Sequence, residues 1–236
     1  MIEYTVRRSD RARHTRLTIR PDGEIVVTLP GRAPERWAND LVRARADWID
    51  RHQARMNAAR DRLASRPGLG AGRAISLGGV EHVVDVVSLG DGRRRSRVVH
   101  DDADGPRIRL ELAPGEARDP SVVLEAWLRS EARDVITRRV STRERDLGVQ
   151  PTSVAIRDQR SRWGSASRQG KLSFSWRLVM TPATVLDYVV VHELAHLRQF
   201  GHGPAFWTIV HGVVPEAEAS RRWLRSHETE LRAALD

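Results

Sequence analysis

The sequence predicts an α+β protein. Six short β-rich runs and one long helical pattern lie within residues 1–112, and a second long helical pattern, two more β-runs and three further helices follow. Strands and helices grouped along the chain, without regular alternation, are typical of this class. We therefore expect a β-rich N-terminal region with one long helix at residues 1–118 and a second domain at residues 119–236.

The N-terminal elements begin with a hairpin and a long helix. Residues 15–20 alternate apolar and polar side chains, residues 21–23 (Pro-Asp-Gly) indicate a turn, and residues 24–29 form a second β-rich run. Pro34 then opens a helix of up to thirty residues, which should end before Pro67. Its apolar stripe is expected at Trp37, Leu41, Ala44 and Trp48.

The middle of the chain returns to strands and then to a second helix. Four β-runs are expected at residues 74–77, 82–89, 96–100 and 108–112. A long helix starts near Pro120, and Gly148 is placed to cap its end. The apolar face of this helix carries Leu124, Leu128, Ala132 and Val135.

The C-terminal part combines two strands with three helices. Residues 153–157 and 171–176 are β-runs. Thr181 is placed as N-cap and Pro182 as first residue of a helix that runs to about Phe200. Helices at residues 204–211 and 215–235 complete the chain.

Composition narrows the classes of protein. The 236 residues contain no cysteine, which excludes disulfides, thiolate catalysis and cysteine-ligated zinc. No run of 18 apolar residues is present, so we expect no membrane span, and no secretory signal is apparent. These features favour a cytoplasmic location. The sequence leaves the oligomeric state open.

The net charge of +9 would favour approach to an acidic partner. The basic residues are spread evenly, however, and their excess is almost entirely arginine. One local run, Arg93, Arg94, Arg95 and Arg97, is either a nucleic-acid contact or a solvated hairpin tip.

Residues 192–196 read His-Glu-Leu-Ala-His, and this pattern carries chemistry. Positions four apart lie on the same face of a helix, so His192 and His196 can present two imidazoles to one metal ion. Glu193 sits where its carboxylate reaches a water molecule on that metal and acts as general base. The alternative is a core helix whose histidines have ordinary hydrogen-bond partners.

The third metal ligand is expected to be His202. Catalytic zinc sites have three protein ligands and one open position. Gly201 permits a left-handed turn that brings His202 back towards the helix. Glu216 is the alternative ligand. The donor set predicts one Zn²⁺ per chain.

These motifs, with their neighbours, resemble the YgjP-like metallopeptidase family, which is related to SprT-type zinc proteases. The strongest motifs are residues 162–165 (Arg-Trp-Gly-Ser), residues 172–178, Pro182, residues 187–196, His202, and Phe206 with Trp207. The resemblance also reaches the N-terminal hairpin and residues 46–49, so it covers most of the chain. It implies a zincin-like catalytic domain at residues 119–236, with zinc on His192, His196 and His202 and Glu193 catalytic. Many relatives carry cysteine where this chain has Ala166.

The favoured function is hydrolysis of peptide bonds by zinc-activated water. One alternative is a zinc hydrolase or amidase with a non-protein substrate; another is a zinc-stabilised adaptor that binds DNA or protein without catalysis. Trp163, Gly164 and Ser165 form either a substrate-binding rim beside the active helix or a tight turn with a core tryptophan. The SprT resemblance also suggests weak, sequence-independent DNA binding.

Overall fold

The computed structural model describes residues 2–20, 22–90, 95–101, 105–159 and 161–235, without the side chains at positions 59, 60 and 63. It is an α+β protein with two compact units, Met1–Ser65 and Arg66–Asp236. The predicted fold class is confirmed. None of the helices in the described ranges is long and apolar enough to span a membrane.

The first unit is a small sheet with two helices. Strands β1 (Thr5–Ser9), β2 (Arg16–Ile19) and β3 (Ile25–Pro30) form a sheet in the order β1-β3-β2, with β1 parallel and β2 antiparallel to β3. The predicted hairpin is therefore present as β2 and β3. β1 was not predicted as a separate strand.

The predicted single helix of this unit is two helices. α1 (Arg36–Ala44) ends at Arg45, whose backbone leaves the helical region, and α2 spans Ala46–Ala64. The predicted apolar stripe is also wrong, because Trp37 and Trp48 are 46% and 37% exposed. The helix residues buried in the cluster with the sheet are instead Ala38, Val42 and Ile49. Each lies one position after a residue of the predicted stripe.

The second unit begins with a four-stranded sheet. It contains β4 (Ala74–Leu77), β5 (Val80–Ser88), β6 (Arg97–Asp101) and β7 (Arg107–Leu112) in the order β4-β5-β7-β6. β5 and β7 are parallel, and the other two pairs are antiparallel.

This sheet shares one buried cluster with α3 (Pro120–Leu147), in which Ile108 and Leu110 join Leu124 and Leu128. For this reason the compact units divide at residue 65, whereas the sequence suggested a domain boundary at residue 118.

Helix α3 has the ends that the sequence indicates. The Asp119 carboxylate accepts a hydrogen bond from the Ser121 amide at 2.8 Å, and Pro120 occupies the first turn. Gly148 ends the helix in the left-handed conformation, with φ 60°. Asp119 capping was not predicted.

A second small sheet and three helices complete the unit. β8 (Ser153–Arg157), β9 (Gly164–Ala166) and β10 (Lys171–Ser175) lie in the order β8-β10-β9. A 3₁₀ helix at Trp176–Met180 leads to α4 (Ala183–Ala195), α5 (Pro204–Val213) and α6 (Ala217–Arg232).

The predicted start of α4 needs correction. Pro182 is the N-cap, and the Thr181 hydroxyl donates to the Leu178 carbonyl at 2.8 Å, which ties Thr181 to the preceding 3₁₀ turn. α4 also ends at Ala195, earlier than the predicted Phe200.

Candidate active site

The metal-binding motif lies at the C-terminal end of α4. The turns before it are buried among the core side chains, which include Val189, Val190 and Val191. His196 keeps helical backbone angles as the C-cap, with φ −63° and ψ −22°. The two imidazoles of His192 and His196 therefore lie on one face of the helix, with ring centroids 4.9 Å apart.

The loop after α4 brings a third imidazole to the same point. Gly201 has φ 91°, the left-handed conformation predicted for it. His202 Nε2 lies 3.1 Å from His192 Nε2, and one ring nitrogen of each of the three histidines lies within 4.8 Å of the others. Among the described residues, Glu216 does not belong to this cluster; it is exposed at the start of α6.

Hydrogen bonds and packing orient the three rings. His196 Nδ1 lies 3.3 Å from the Gln199 carbonyl oxygen, and His192 Nδ1 lies 3.5 Å from the Tyr188 hydroxyl. Each contact occupies Nδ1 and leaves Nε2 for the cluster. The ring of Phe206 is fully buried and lies 4.5–4.9 Å from all three imidazole centroids.

This donor set fits a zinc ion. Two nitrogens bound at about 2.0 Å to one tetrahedral ion lie about 3.3 Å apart, close to the 3.1 Å between His192 and His202. Burial lowers the pKa of His192 to about 3, with a smaller contribution from the neighbouring histidines, and burial also lowers the pKa of His196. Both rings therefore stay neutral at neutral pH, which is the form that binds metal.

Glu193 is a buried carboxylate beside the cluster. It is 6% exposed, and burial raises its pKa to about 8, opposed by the positive charge of Arg162. Its side chain lies against the backbone of Gly164, where an added Cβ would be 2.6 Å from Oε1. Without a metal ion, a carboxyl with this pKa is mostly protonated at neutral pH; the positive charge of a bound ion would lower the pKa and favour the carboxylate form that a general base requires.

The Trp163–Ser165 segment leads into and forms part of an edge strand, and its role in substrate binding stays a prediction. Gly164 and Ser165 belong to β9, the edge strand, where Gly164 pairs with Phe174 of β10. Trp163 is partly buried against the core, and the Arg232 guanidinium lies 4.2 Å from its ring centroid. Arg232 also donates to the carbonyl oxygens of Gln159 and Arg162 and so holds this segment to α6.

Several site features were not predicted. Arg221 and Arg225 of α6 line a cleft beside Glu193, although nothing in their spacing indicates it. The ion pair between Asp187 of α4 and Arg143 of α3 was also missed, because it joins residues 44 positions apart.

The structure describes only part of the arginine run that was considered as a nucleic-acid contact. Arg93 and Arg94 lie outside the described residues. Arg95 is exposed, and Arg97 Nε donates to Glu111 Oε2 at 2.6 Å.

An α+β unit in which a helix-borne histidine pair, a third histidine and a buried glutamate meet beside a sheet edge has the architecture of metal-dependent peptidases. Residues 13–227 match the YgjP-like, metallopeptidase domain family. The chain therefore belongs to the YgjP-like family, which confirms the resemblance seen in the sequence.

The chain also has limited similarity to one solved structure. The solved structure of the metallopeptidase zymogen of Pyrococcus abyssi abylysin shares 24% identity with the chain, at a TM-score of 0.35. The match covers 41% of this chain and 95% of that one. No curated protein sequence matches the chain.

Proposed function

We propose that the protein is a zinc-dependent peptidase in which His192, His196 and His202 hold one Zn²⁺ and Glu193 is the general base. The observation that supports this most strongly is the convergence of three ring nitrogens within 4.8 Å, next to a glutamate that is 6% exposed. A structural zinc site fills its fourth position with protein and needs no base, so the arrangement favours catalysis.

Zinc, when bound, supplies Lewis-acid chemistry: it lowers the pKa of a water molecule and polarises the carbonyl under attack. The protein's own groups transfer the protons. Glu193 takes a proton from the attacking water on a carboxylate oxygen and passes it to the departing amine. Burial raises the pKa of Glu193, and the positive charge of bound zinc would lower it again, so the carboxylate form that acts as base is favoured when the metal is bound.

The substrate is proposed to be an extended peptide bound along β9. Within the described residues, β9 pairs only with β10, so its other edge offers backbone groups for a further strand. Gly164 places this edge against Glu193. A peptide added there would have its backbone next to the catalytic carboxylate. An open edge of this kind favours a peptide over the small non-protein substrate of an amidase.

A cleavage assay tests the proposed function. Zinc-loaded protein is incubated with a proteome-derived peptide library, and products are identified by mass spectrometry. Glu193→Gln should keep one zinc per chain and lose hydrolysis by at least about 100-fold. Glu216→Gln, which changes an exposed glutamate outside the cluster, is the matched control. Full activity in Glu193→Gln would refute the role of Glu193, and a chain that takes up no zinc would refute the site.

A further inference from the structure

A cleft of about 330 Å³ opens beside the catalytic carboxylate. It is lined by α4, here called its floor, and by two further elements called its walls: the segment that precedes and begins β9, and α6. The residues of the floor are Tyr188, Val189, His192 and Glu193; those of the walls are Ser161, Arg162, Trp163, Gly164, Arg221, Leu224, Arg225 and Glu228. A volume near the lower end of about 300–1,000 Å³ for ligand sites suits a single residue of a peptide.

The walls of this cleft carry more positive than negative charge. Arg162, Arg221 and Arg225 line it, with Glu228 as the acidic residue beside the latter two on α6. Glu228 Oε1 already lies 3.4 Å from Arg232 Nη2, so its charge is partly matched elsewhere.

The three arginines differ in how far they are engaged. Arg221 pairs with Glu218 at 3.3 Å in an exposed contact, and its guanidinium lies 5.2 Å from the ring centroid of Trp207. Within the described part of the chain, neither Arg162 nor Arg225 has a carboxylate oxygen within 4.0 Å. Both are exposed, so their guanidinium groups can bind an anion, and the charge of Arg162 also acts on the pKa of Glu193.

We propose that this cleft is a substrate subsite that recognises a carboxylate of the peptide, so that the protein cleaves next to acidic residues or near a free C-terminus. The inference rests on the proposed peptidase function. Guanidinium groups bind carboxylates through paired, charge-assisted hydrogen bonds, and such bonds are stronger in a partly enclosed site. The aromatic ring of Trp163 and the side chain of Leu224 supply apolar contact for the stem of such a residue.

A nucleic acid fits this cleft less well. Phosphate backbones need basic residues spread along an extended surface, whereas these arginines line one small cleft next to Glu193.

The first test compares matched peptides on wild-type, zinc-loaded protein. Replacing the preferred Asp or Glu by Asn or Gln should lower kcat/KM by about tenfold or more. Amidating the C-terminus should have that effect only if the chain terminus is the source of the carboxylate. Equal cleavage of acidic, amide and amidated peptides would overturn the inference while leaving the peptidase function intact.

The second test changes the arginines. Arg225→Gln should remove most of the preference for the carboxylate, and Arg225→Glu should favour Lys or Arg in its place. Arg162→Gln should also lower the preference, together with a change in rate on all peptides, because the charge of Arg162 acts on the pKa of Glu193. Arg225→Lys should restore part of the preference. Arg222→Gln is the matched control, because Arg222 is an exposed arginine of the same helix that does not line the cleft. Arg225 variants that slow all peptides equally would contradict the proposal.

A binding measurement covers the case in which no library peptide is cleaved. Zinc-loaded Glu193→Gln protein is titrated with fluorescent peptides that carry Asp or Asn at the same position, and anisotropy is recorded. Binding at least about tenfold tighter to the Asp peptide would support the subsite. Selective binding without cleavage by the wild type would reject the peptidase function alone, and equal binding would reject the subsite.

Discussion

The backbone of Gly164 lies directly against the side chain of Glu193. A Cβ atom built on Gly164 would lie 2.6 Å from both Cγ and Oε1 of Glu193, closer than real Cβ atoms approach other heavy atoms. Space, rather than an unusual backbone angle, therefore requires glycine here, because the φ of Gly164 is not positive. This contact sets the distance between the edge strand β9 and the helix that carries the catalytic groups.

Gly164→Ala should impair both stability and hydrolysis. The added methyl group forces β9 or the Glu193 carboxylate to move, at a cost of about 1–3 kcal/mol in the free energy of unfolding. Hydrolysis should fall by about tenfold or more, because a displaced base reaches the water less well. Urea unfolding and peptide cleavage measure the two effects. Gly68→Ala is the control, since a Cβ at Gly68 meets nothing within 4 Å; identical behaviour of the two variants would contradict this account.

His202→Ala should weaken zinc binding by at least about 100-fold, because it leaves the ion with two protein ligands. Glu216→Ala should not change the affinity, because Glu216 lies outside the cluster. Zinc retained after dialysis, measured by mass spectrometry, compares the two variants. Loss of zinc in Glu216→Ala with retention in His202→Ala would reverse the assignment of the third ligand.

Glu193→Gln should stabilise the zinc-free protein at alkaline pH. Burial raises the pKa of Glu193 from 4.5 to about 8, so the folded protein keeps a proton that the unfolded chain has lost. The wild type should therefore lose stability relative to the variant as pH rises from 4.5 to 8, by up to about 1.4 kcal/mol per pH unit.

Urea denaturation of the zinc-free proteins at pH 5, 7 and 8.5 measures this difference, with Glu216→Gln as control. Bound zinc should reduce the difference, because its positive charge stabilises the carboxylate. A difference that stays constant from pH 5 to pH 8.5 would contradict the role of Glu193 burial.

Asp187→Ala should destabilise the second unit. The Asp187 carboxylate accepts hydrogen bonds from Arg143 Nε at 2.9 Å and Arg143 Nη2 at 2.6 Å, and its side chain is only 11% exposed. Removing it takes two charge-assisted hydrogen bonds from Arg143, which keeps its pair with Asp146 at 2.7 Å, at a cost of about 2 kcal/mol. Asp85→Ala, which breaks the exposed pair with Arg107, should cost at most about 1 kcal/mol. Thermal melting measures the loss of stability in each variant. Equal losses in Asp187→Ala and Asp85→Ala would contradict the expected difference.

Weak DNA binding stays a prediction from the SprT resemblance and the pI of 11.2. It predicts binding at low salt that weakens steeply as salt rises, because arginines that contact phosphates release counterions. Titrating labelled single- and double-stranded DNA at two salt concentrations measures this. Absence of binding at low salt would reject the hypothesis. Binding that survives replacement of Arg93, Arg94, Arg95 and Arg97 would assign the contact to another surface.

Much of the candidate site could be read from the sequence, because its signals act locally. Four-residue spacing on a helix puts His192 and His196 on one face whatever surrounds them. Gly201 takes the left-handed conformation that turns the chain towards His202, and the structure shows that conformation. Turn and capping signals likewise predicted the first hairpin and the C-terminal end of α3, since each depends on a few adjacent residues.

Elements that depend on distant contacts were missed or misplaced. The sequence suggested one helix where Arg45 separates α1 from α2, and it placed the exposed Trp37 and Trp48 on the buried face. Helical periodicity alone does not decide which side of an amphipathic helix meets a sheet. The strands of residues 74–112 join the core of α3 because their apolar faces are buried together, and that pairing lies beyond local sequence.

The sequence by itself determined the chemistry of this protein: which imidazoles can converge, which carboxylate stands beside them, and which family the chain resembles. Only the tertiary structure decided the setting of that chemistry. Burial of Glu193 against Gly164, the edge position of β9 and the arginines that line the cleft each join segments far apart in the chain. The physical reason is that ligand spacing and turns are encoded within a few residues, whereas burial, pKa and charge around a site are set by whatever the folded chain packs against it.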